Sequence, residues 1–345
     1  MRVFILAGIF LVSSLIISCD KEHNNPYDRA CPADLWTPSK LKADTNNNII
    51  SISWEESETH IDGFVLERSP DSLSWNPIKG GLIDKSARNF QDTIDFSNRK
   101  YYYRIYAIAD KNTSGITYSH VVKISNAPDY LPNKGLFGWW PFTGNANDES
   151  GYGNHGTANG AILTVDRFGK SNCAYSFDGI KDYIRCLRAG PTGNPVITAS
   201  FWLNTNQQTY GHIIGYGDDG VYKNDFRIDI NQNASSCIAF GTYGSELAFS
   251  TIFNKTWDFY TVIYYGNTSG SALSSKIYKN GLLLTTVCYD HYIGIPNILN
   301  KIPITFGRYH GTAQNGFFNG LLDDIAMWNR ALTESEITNI YNLSK

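Results

Sequence analysis

The chain has 345 residues, 42% of them hydrophobic and 18% charged, a composition that excludes a disordered or collagen-like protein and leaves room for about two domains of ~150 residues. Its 29 basic and 32 acidic residues give a formal charge of −3, which excludes the basic, phosphate-facing surface of a nucleic-acid binder. With 22 Tyr, 18 Phe, 8 Trp and 30 Gly against 2 Met, the sequence favours pleated, half-buried strands joined by tight turns over helices.

Met1 and Arg2 open an apolar run from Val3 to Ile17, which turns polar at Asp20-Lys21-Glu22-His23. The run is short for a membrane span and has the layout of a secretory signal, so residues 1–18 stand outside the fold. Ile16-Ile17-Ser18-Cys19 resembles the lipobox of bacterial lipoproteins. That resemblance implies a mature chain starting at Cys19, with diacylglycerol on its thiol and membrane attachment through the lipid. Asp20-Lys21-Glu22 and Asn25-Pro26-Tyr27-Asp28 resemble the start of Bacteroidetes surface lipoproteins, which implies an outer-membrane lipoprotein facing outward. Residues 19–34 are polar and without apolar periodicity, and read as a tether.

From 35 to 127, short alternating runs recur at the spacing of a β-sandwich: Ile49 to Trp54, Gly63 to Arg68, Ser72 to Trp75, Tyr101 to Ala109 and Ser119 to Ile124. Trp54 and the strand Tyr101-Tyr102-Tyr103-Arg104-Ile105-Tyr106-Ala107 carry a resemblance to immunoglobulin-like sandwiches of the fibronectin type III kind. The resemblance implies a core Trp54, and a tyrosine whose hydroxyl ties its strand to a neighbouring loop. Residues 128–135 hold two prolines and no alternation, and mark the domain boundary as a short, stiff linker.

Residues 136–345 are again strand-rich. Asn280-Gly281, between Ile277-Tyr278-Lys279 and Leu282-Leu283-Leu284, predicts a two-residue hairpin, because both central residues of a type I′ turn need positive φ. Thr333-Glu334-Ser335-Glu336 predicts a capped helix with Ile337, Ile340 and Tyr341 on one face. Gly138-Trp139-Trp140-Pro141-Phe142, the run Asn147 to Gly156, Tyr175-Ser176-Phe177-Asp178-Gly179, Ser200-Phe201-Trp202, Tyr278-Lys279-Asn280-Gly281, and Gly320 to Ile325 followed by Trp328 to Thr333 resemble, in order, the laminin-G-like jelly roll of the concanavalin A-like superfamily. The expected fold class is therefore all-β, a sandwich followed by a jelly roll.

Many relatives of that kind hold a structural calcium. A Gly-rich loop lets carbonyl oxygens converge and Asp or Asn adds hard donors at ~2.3–2.6 Å, so the resemblance points to Asp148, Asn154 and Asp323 as metal ligands. Turn geometry alone explains Asp178 and Asp182 around Gly179. Glycosidases of the superfold present carboxylates at alternate positions of one strand, ~5 Å apart. In Arg227-Ile228-Asp229-Ile230-Asn231 the outer positions hold Arg227 and Asn231, so the pair is missing and no enzyme is expected. His155, His212, His291 and His310 read as isolated structural or surface residues.

The remaining function is binding of a polysaccharide or glycoprotein glycan, by aromatic stacking and by Asn, Asp and Arg hydrogen bonds. Tyr210, Tyr216, Asp218, Asp219, Tyr222 and Asn224 are the candidate contacts. The alternative is an adhesion or scaffold lipoprotein with a protein partner. Beyond Cys19 an odd set remains, Cys31, Cys173, Cys186, Cys237 and Cys288. Cys173 and Cys186 flank a hairpin, as a disulfide or as two buried thiols.

Overall fold

The computed structural model describes residues 24–46, 49–94, 99–218, 224–230, 236–266, 275–291, 294–311 and 315–345. The expectations for the signal segment, Cys19, Asp219, Tyr222 and Asn231 lie outside these residues.

The first unit holds β1 (Ser39–Asn46), β2 (Ile49–Glu55), β3 (Gly63–Ser69), β4 (Asn76–Pro77), β5 (Ile83–Asp84), β6 (Asn89–Thr93), β7 (Lys100–Ala109), β8 (Asn112–Thr113), β9 (Thr117–Tyr118) and β10 (Val122–Lys123). One sheet has the order β1-β2-β6. The other runs β10-β7-β3-β4, with β5 beside β3 and β8 and β9 beside β7. Alternation sorts the side chains. On β2, Ile50, Ile52 and Trp54 go inward while Ile49, Ser51 and Ser53 face solvent. On β7, Tyr101, Tyr103, Ile105, Ala107 and Ala109 are buried. Trp54 packs edge-on against Phe64 at 5.4 Å, and each large side chain so buried contributes roughly 1.5–3 kcal/mol. The Tyr103 hydroxyl donates to Asp92 Oδ2 at 2.7 Å, and Arg68 donates to the same oxygen at 2.8 Å. Because Asp92 sits on β6, this tyrosine ties one sheet to the other rather than to a loop. From residue 24 the chain already lies against the sandwich: Pro26 is buried, its carbonyl accepts from Asn112, and the Tyr27 hydroxyl reaches Asp62 at 2.7 Å.

The segment 128–135 is docked on both sides. Arg99 of the sandwich donates to the carbonyls of Ala127, Pro128 and Leu131. From the second unit, Trp328 Nε1 donates to Pro132 O and Arg330 Nε to Lys134 O, each at 2.7 Å. Asn126 N also donates to Glu149 O at 2.9 Å.

The second unit holds β11 (Leu136–Trp140), β12 (Gly156–Asn159), β13 (Ile162–Thr164), β14 (Ala174–Asp178), β15 (Tyr183–Cys186), β16 (Ile197–Asn204), β17 (Gly211–Gly217), β18 (Asp225–Ile230), β19 (Cys237–Thr242), β20 (Ser245–Ser250), β21 (Trp257–Tyr264), β22 (Ser275–Lys279), β23 (Leu282–Leu283), β24 (Val287–His291), β25 (Ile302–Phe306), β26 (Asn319–Trp328) and α1 (Glu334–Ser344). A back sheet has the order β13-β14-β26-β16-β21-β22-β23, with β11 beside β26. A front sheet has the order β12-β15-β25-β17-β18-β19-β20-β24. Their facing sides form one aromatic core in which Phe240 stacks on Tyr264 at 4.6 Å and Tyr216 on Phe226 at 5.2 Å.

The expected Asn280-Gly281 turn joins β22 to β23 with φ of 51° and 80°. Thr333 and Glu336 form the capping box of α1, which lays Ile337 and Ile340 on a cluster with Trp139, Trp202 and Trp328 outside the back sheet. The disulfide is Cys237–Cys288, which straps edge strand β24 across β20 to β19. Cys173 and Cys186 are buried thiols, not a bridge.

Candidate functional site

The chemistry-bearing residues of the second unit gather on the front sheet, on the side away from the core. β18 reads D-F-R-I-D-I: Phe226, Ile228 and Ile230 enter the core, so Asp225, Arg227 and Asp229 stand on the opposite face. The register builds rows across that face. Asp229 is flanked by His212 on β17 and Ala239 on β19. Arg227 lies between Gly215 and Gly241, with Glu246 of β20 beyond Gly241 and His291 of β24 beyond Glu246.

The two glycines make the space for this cluster. A Cβ at Gly215 would stand 2.7 Å from His310 Nδ1, and one at Gly241 would stand 2.5 Å from Glu246 Cγ. Both contacts are too close for any side-chain carbon.

Although alternate residues of such a strand ordinarily meet water, His212, Asp225, Arg227, Asp229, Glu246 and His310 are all buried. Arg227 holds the centre: its Nε lies 3.2 Å from Asp225 Oδ2, and its Nη2 donates to Thr242 O at 2.7 Å and lies 3.6 Å from Glu246 Oε1. The Asp229 carboxylate is paired with His212 Nδ1, and its other oxygen is 3.4 Å from the Tyr210 hydroxyl. His310 Nε2 lies 3.8 Å from Asp225 Oδ2.

Three carboxyl groups around one guanidinium cannot all stay charged in a buried site. Burial, followed by the charge of Asp229, pushes Glu246 up to about 8. Burial also lifts Asp225 to about 6. Asp229 moves the other way: burial opposes its charge, but His212 and Arg227 outweigh that and lower its pKa. His310 is brought down to about 4 by burial. A neutral Glu246 therefore faces an ionised Asp229, a proton donor beside an acceptor. Asp225 Oδ2, Arg227 Nε, Asp229 Oδ1 and Glu246 Oε1 are held by charge without a well-aligned hydrogen bond among the described residues. Each such buried group costs ~1–3 kcal/mol.

The rim of this cluster is aromatic. Tyr289 and His291, on the exposed edge strand β24, stack at 6.1 Å and 22°. Tyr289 stands opposite Ala248 and His291 opposite Glu246, and Tyr243 is exposed in the β19–β20 turn.

Of the residues singled out in the sequence, Tyr210 belongs to this site, with its ring 4.7 Å from that of His212. Tyr216 does not lie on the surface. Alternation turns it into the core, where its hydroxyl donates to Pro191 O. Asp218 is buried and paired with Lys301 at 2.8 Å, and the carbonyl of Asn224 accepts from Asp218 N. Two acids outside the run 227–231, Asp225 two residues upstream and Glu246 two strands away, join Asp229 around Arg227. His212 and His310 belong to the same cluster and are not isolated.

The proposed calcium ligands do not form one shell. Both oxygens of Asp148 accept backbone N–H groups, Oδ1 from Trp139 and Ser150 and Oδ2 from Asn154. Asn154 Oδ1 accepts from Arg188 N at 2.7 Å. Asp323 is paired with Arg167, which also holds Asp324 at 2.6 Å and stacks over Trp202. A guanidinium thus sits where Asp323 would need a cation. Among the described residues no three His, Cys, Asp or Glu side chains are placed to hold a metal ion. Asp178 caps its own turn, accepting from the N–H groups of Ile180, Lys181 and Asp182.

Residues 178–338 match the concanavalin A-like lectin/glucanases superfamily. The match covers β15 to β26 and the first turn of α1, and so contains the whole ionic cluster. No curated protein matches the chain. Among solved structures, it is similar to domain 4 of AbnA, a GH43 extracellular arabinanase from Geobacillus stearothermophilus, in complex with arabinotriose. That likeness has 16% identity over 60% of this chain and 98% of that one, with a TM-score of 0.44. It is also similar to the botulinum neurotoxin serotype D binding domain, at 17% identity over 60% of this chain and 51% of that one, TM-score 0.43. The receptor binding domain of botulinum neurotoxin type G follows at 16% identity over 57% and 48%, TM-score 0.39. The chain spans about half the length of these two toxin domains.

Proposed function

We propose that the concanavalin A-like unit binds carbohydrate on the outer face of its front sheet, and that the chain is an acylated surface lipoprotein anchored through Cys19. The observation that carries the binding reading is the combination of a stacked, exposed Tyr289–His291 pair with Glu246 directly beside it and Arg227 behind Glu246. Aromatic rings receive the apolar face of a sugar, and the charged cluster beneath them sets the field that its hydroxyls meet. The superfamily match supports the ligand class. The first unit then acts as a fibronectin-type spacer between membrane and ligand, a reading supported by its two antiparallel sheets, of three and seven strands, packed face to face.

A glycan array probed with the full chain tests this. Wild type should bind at least one glycan class, with Tyr289→Ala weakening it at least tenfold and Glu246→Gln altering selectivity. Failure to bind any glycan would favour the scaffold reading with a protein partner. Turnover of a bound glycan, abolished by Glu246→Gln, would replace binding by hydrolysis. Retained membrane attachment in Cys19→Ala would remove the anchor.

A further inference from the structure

The sandwich turns a second face to solvent, unrelated to the jelly roll and not required by its own core. While Tyr101, Tyr103 and Ile105 fill the interior, Tyr102, Arg104 and Tyr106 stand at alternate positions on the other side of β7, each half-buried. The register places Arg104 between Glu67 of β3 and Tyr118 of β9. Trp75, from the turn before β4, completes the group: its ring lies 4.5 Å from the Arg104 guanidinium and 5.8 Å from the Tyr118 ring, at 66°. The indole is fixed by its N–H donating to Ser72 O at 3.2 Å. Tyr118 is 57% exposed and Leu73, on the same turn, 83%.

Two properties of the face select its ligand. Its central charges cancel, because Arg104 is ion-paired with the buried Glu67, so neither an acidic nor a basic partner meets an opposing field. Its apolar area consists of ring faces bordered by hydroxyl and guanidinium donors, the pattern that suits a ligand apolar on its faces and hydroxylated at its edges.

From this we propose that the face formed by Trp75, Tyr102, Arg104, Tyr106 and Tyr118 is a carbohydrate site for a neutral polysaccharide chain, separate from the site on the jelly roll. Pyranose rings stack on Trp75 and Tyr118, and the Arg104 N–H groups and tyrosine hydroxyls bind sugar oxygens. The ~6.6 Å between alternate residues of β7 spaces Tyr102, Arg104 and Tyr106, and the Trp75 and Tyr118 rings lie 5.8 Å apart across it.

Native affinity electrophoresis of the full chain tests this in gels containing a soluble β-glucan, a xylan or a galactomannan. The Trp75→Ala/Tyr118→Ala variant should lose at least tenfold in affinity for one of them. The same loss should appear when the pair is introduced into Glu246→Gln, because distant sites act independently. Unchanged retardation in every gel overturns the proposal, as does a wild type retarded by none of the three. A loss that disappears in the Glu246→Gln background also overturns it, because all binding then belongs to the jelly roll. If the double variant melts below wild type, Tyr118→Glu, at an exposed position, decides: undiminished binding there overturns the proposal.

Discussion

β7 of the sandwich and β18 of the jelly roll follow the same rule of alternation and end in opposite environments. On β7 the second row, Tyr102, Arg104 and Tyr106, stays partly in water. On β18 the second row, Asp225, Arg227 and Asp229, is as buried as the core row. Alternation therefore identifies the apolar face of a strand, but it does not say whether the polar face is wet. That depends on what the rest of the chain lays over it, here the segments bearing Tyr210 and Tyr309-His310, whose rings pack against His212. The arginine on the wet face pairs with one acid, Glu67, whereas the one on the covered face holds several in place.

The sharpest test of this contrast removes each arginine in turn. Arg227→Ala leaves buried acids unpaired and should cost about 3–5 kcal/mol, a fall in melting temperature of about 10 °C or more for a domain this size. Equal costs for Arg227→Ala and Arg104→Ala would break the comparison. Next, Cys237→Ser with Cys288→Ser removes a bridge between residues 51 apart, worth roughly 4 kcal/mol on the chain-entropy account. The loss should appear in denaturant unfolding of the jelly roll and leave the sandwich transition in place. Tyr103→Phe takes a donor from Asp92, which also pairs with Arg68, and should lower the stability of the sandwich by ~1.5–3 kcal/mol.

A smaller effect follows from pH. Glu246 is raised from its ordinary 4.5 to about 8, and Asp323 from 3.8 to about 8. Between those values the folded state holds more protons than the unfolded one, so stability falls as pH rises. Below about 6.5 the lowered pKa of His310 works in the opposite sense, which leaves pH 6.5–8 as the clean window. The melting temperature should decline across it, and Glu246→Gln should flatten the decline without abolishing it. Arg104→Ala should cost about 1–3 kcal/mol, less than Arg227→Ala, because it leaves one acid, Glu67, without its partner where Arg227→Ala strands several.

What could be read from the sequence was local. The capping box at Thr333 and Glu336, the Asn280-Gly281 turn and the inward Trp54 each depend on neighbours within a few residues. The two-unit all-β architecture followed from alternation and from ordered motifs. The site was not local. Glu246 lies two strands from Asp229, and no spacing in the chain announces their meeting. Asp225 was missed because the alternate positions were counted from Arg227 toward Asn231 and not upstream, although 225, 227 and 229 share one face. Cys237 and Cys288 escaped for a related reason, since their pairing crosses an intervening strand and a bulge in β24. Tyr216 and Asp323 were misplaced because composition suggests what a side chain can bind, while packing decides whether anything can reach it.

Arg99 grips three carbonyl groups at the junction, and Trp328 and Arg330 hold the same segment from the other side. The link between the units is thereby a joint set at one angle, with little of the reach of a loose string. For a long polymer, engaging the second surface after the first then requires no search by the protein, and avidity is governed by whether the polymer's own curvature matches that angle.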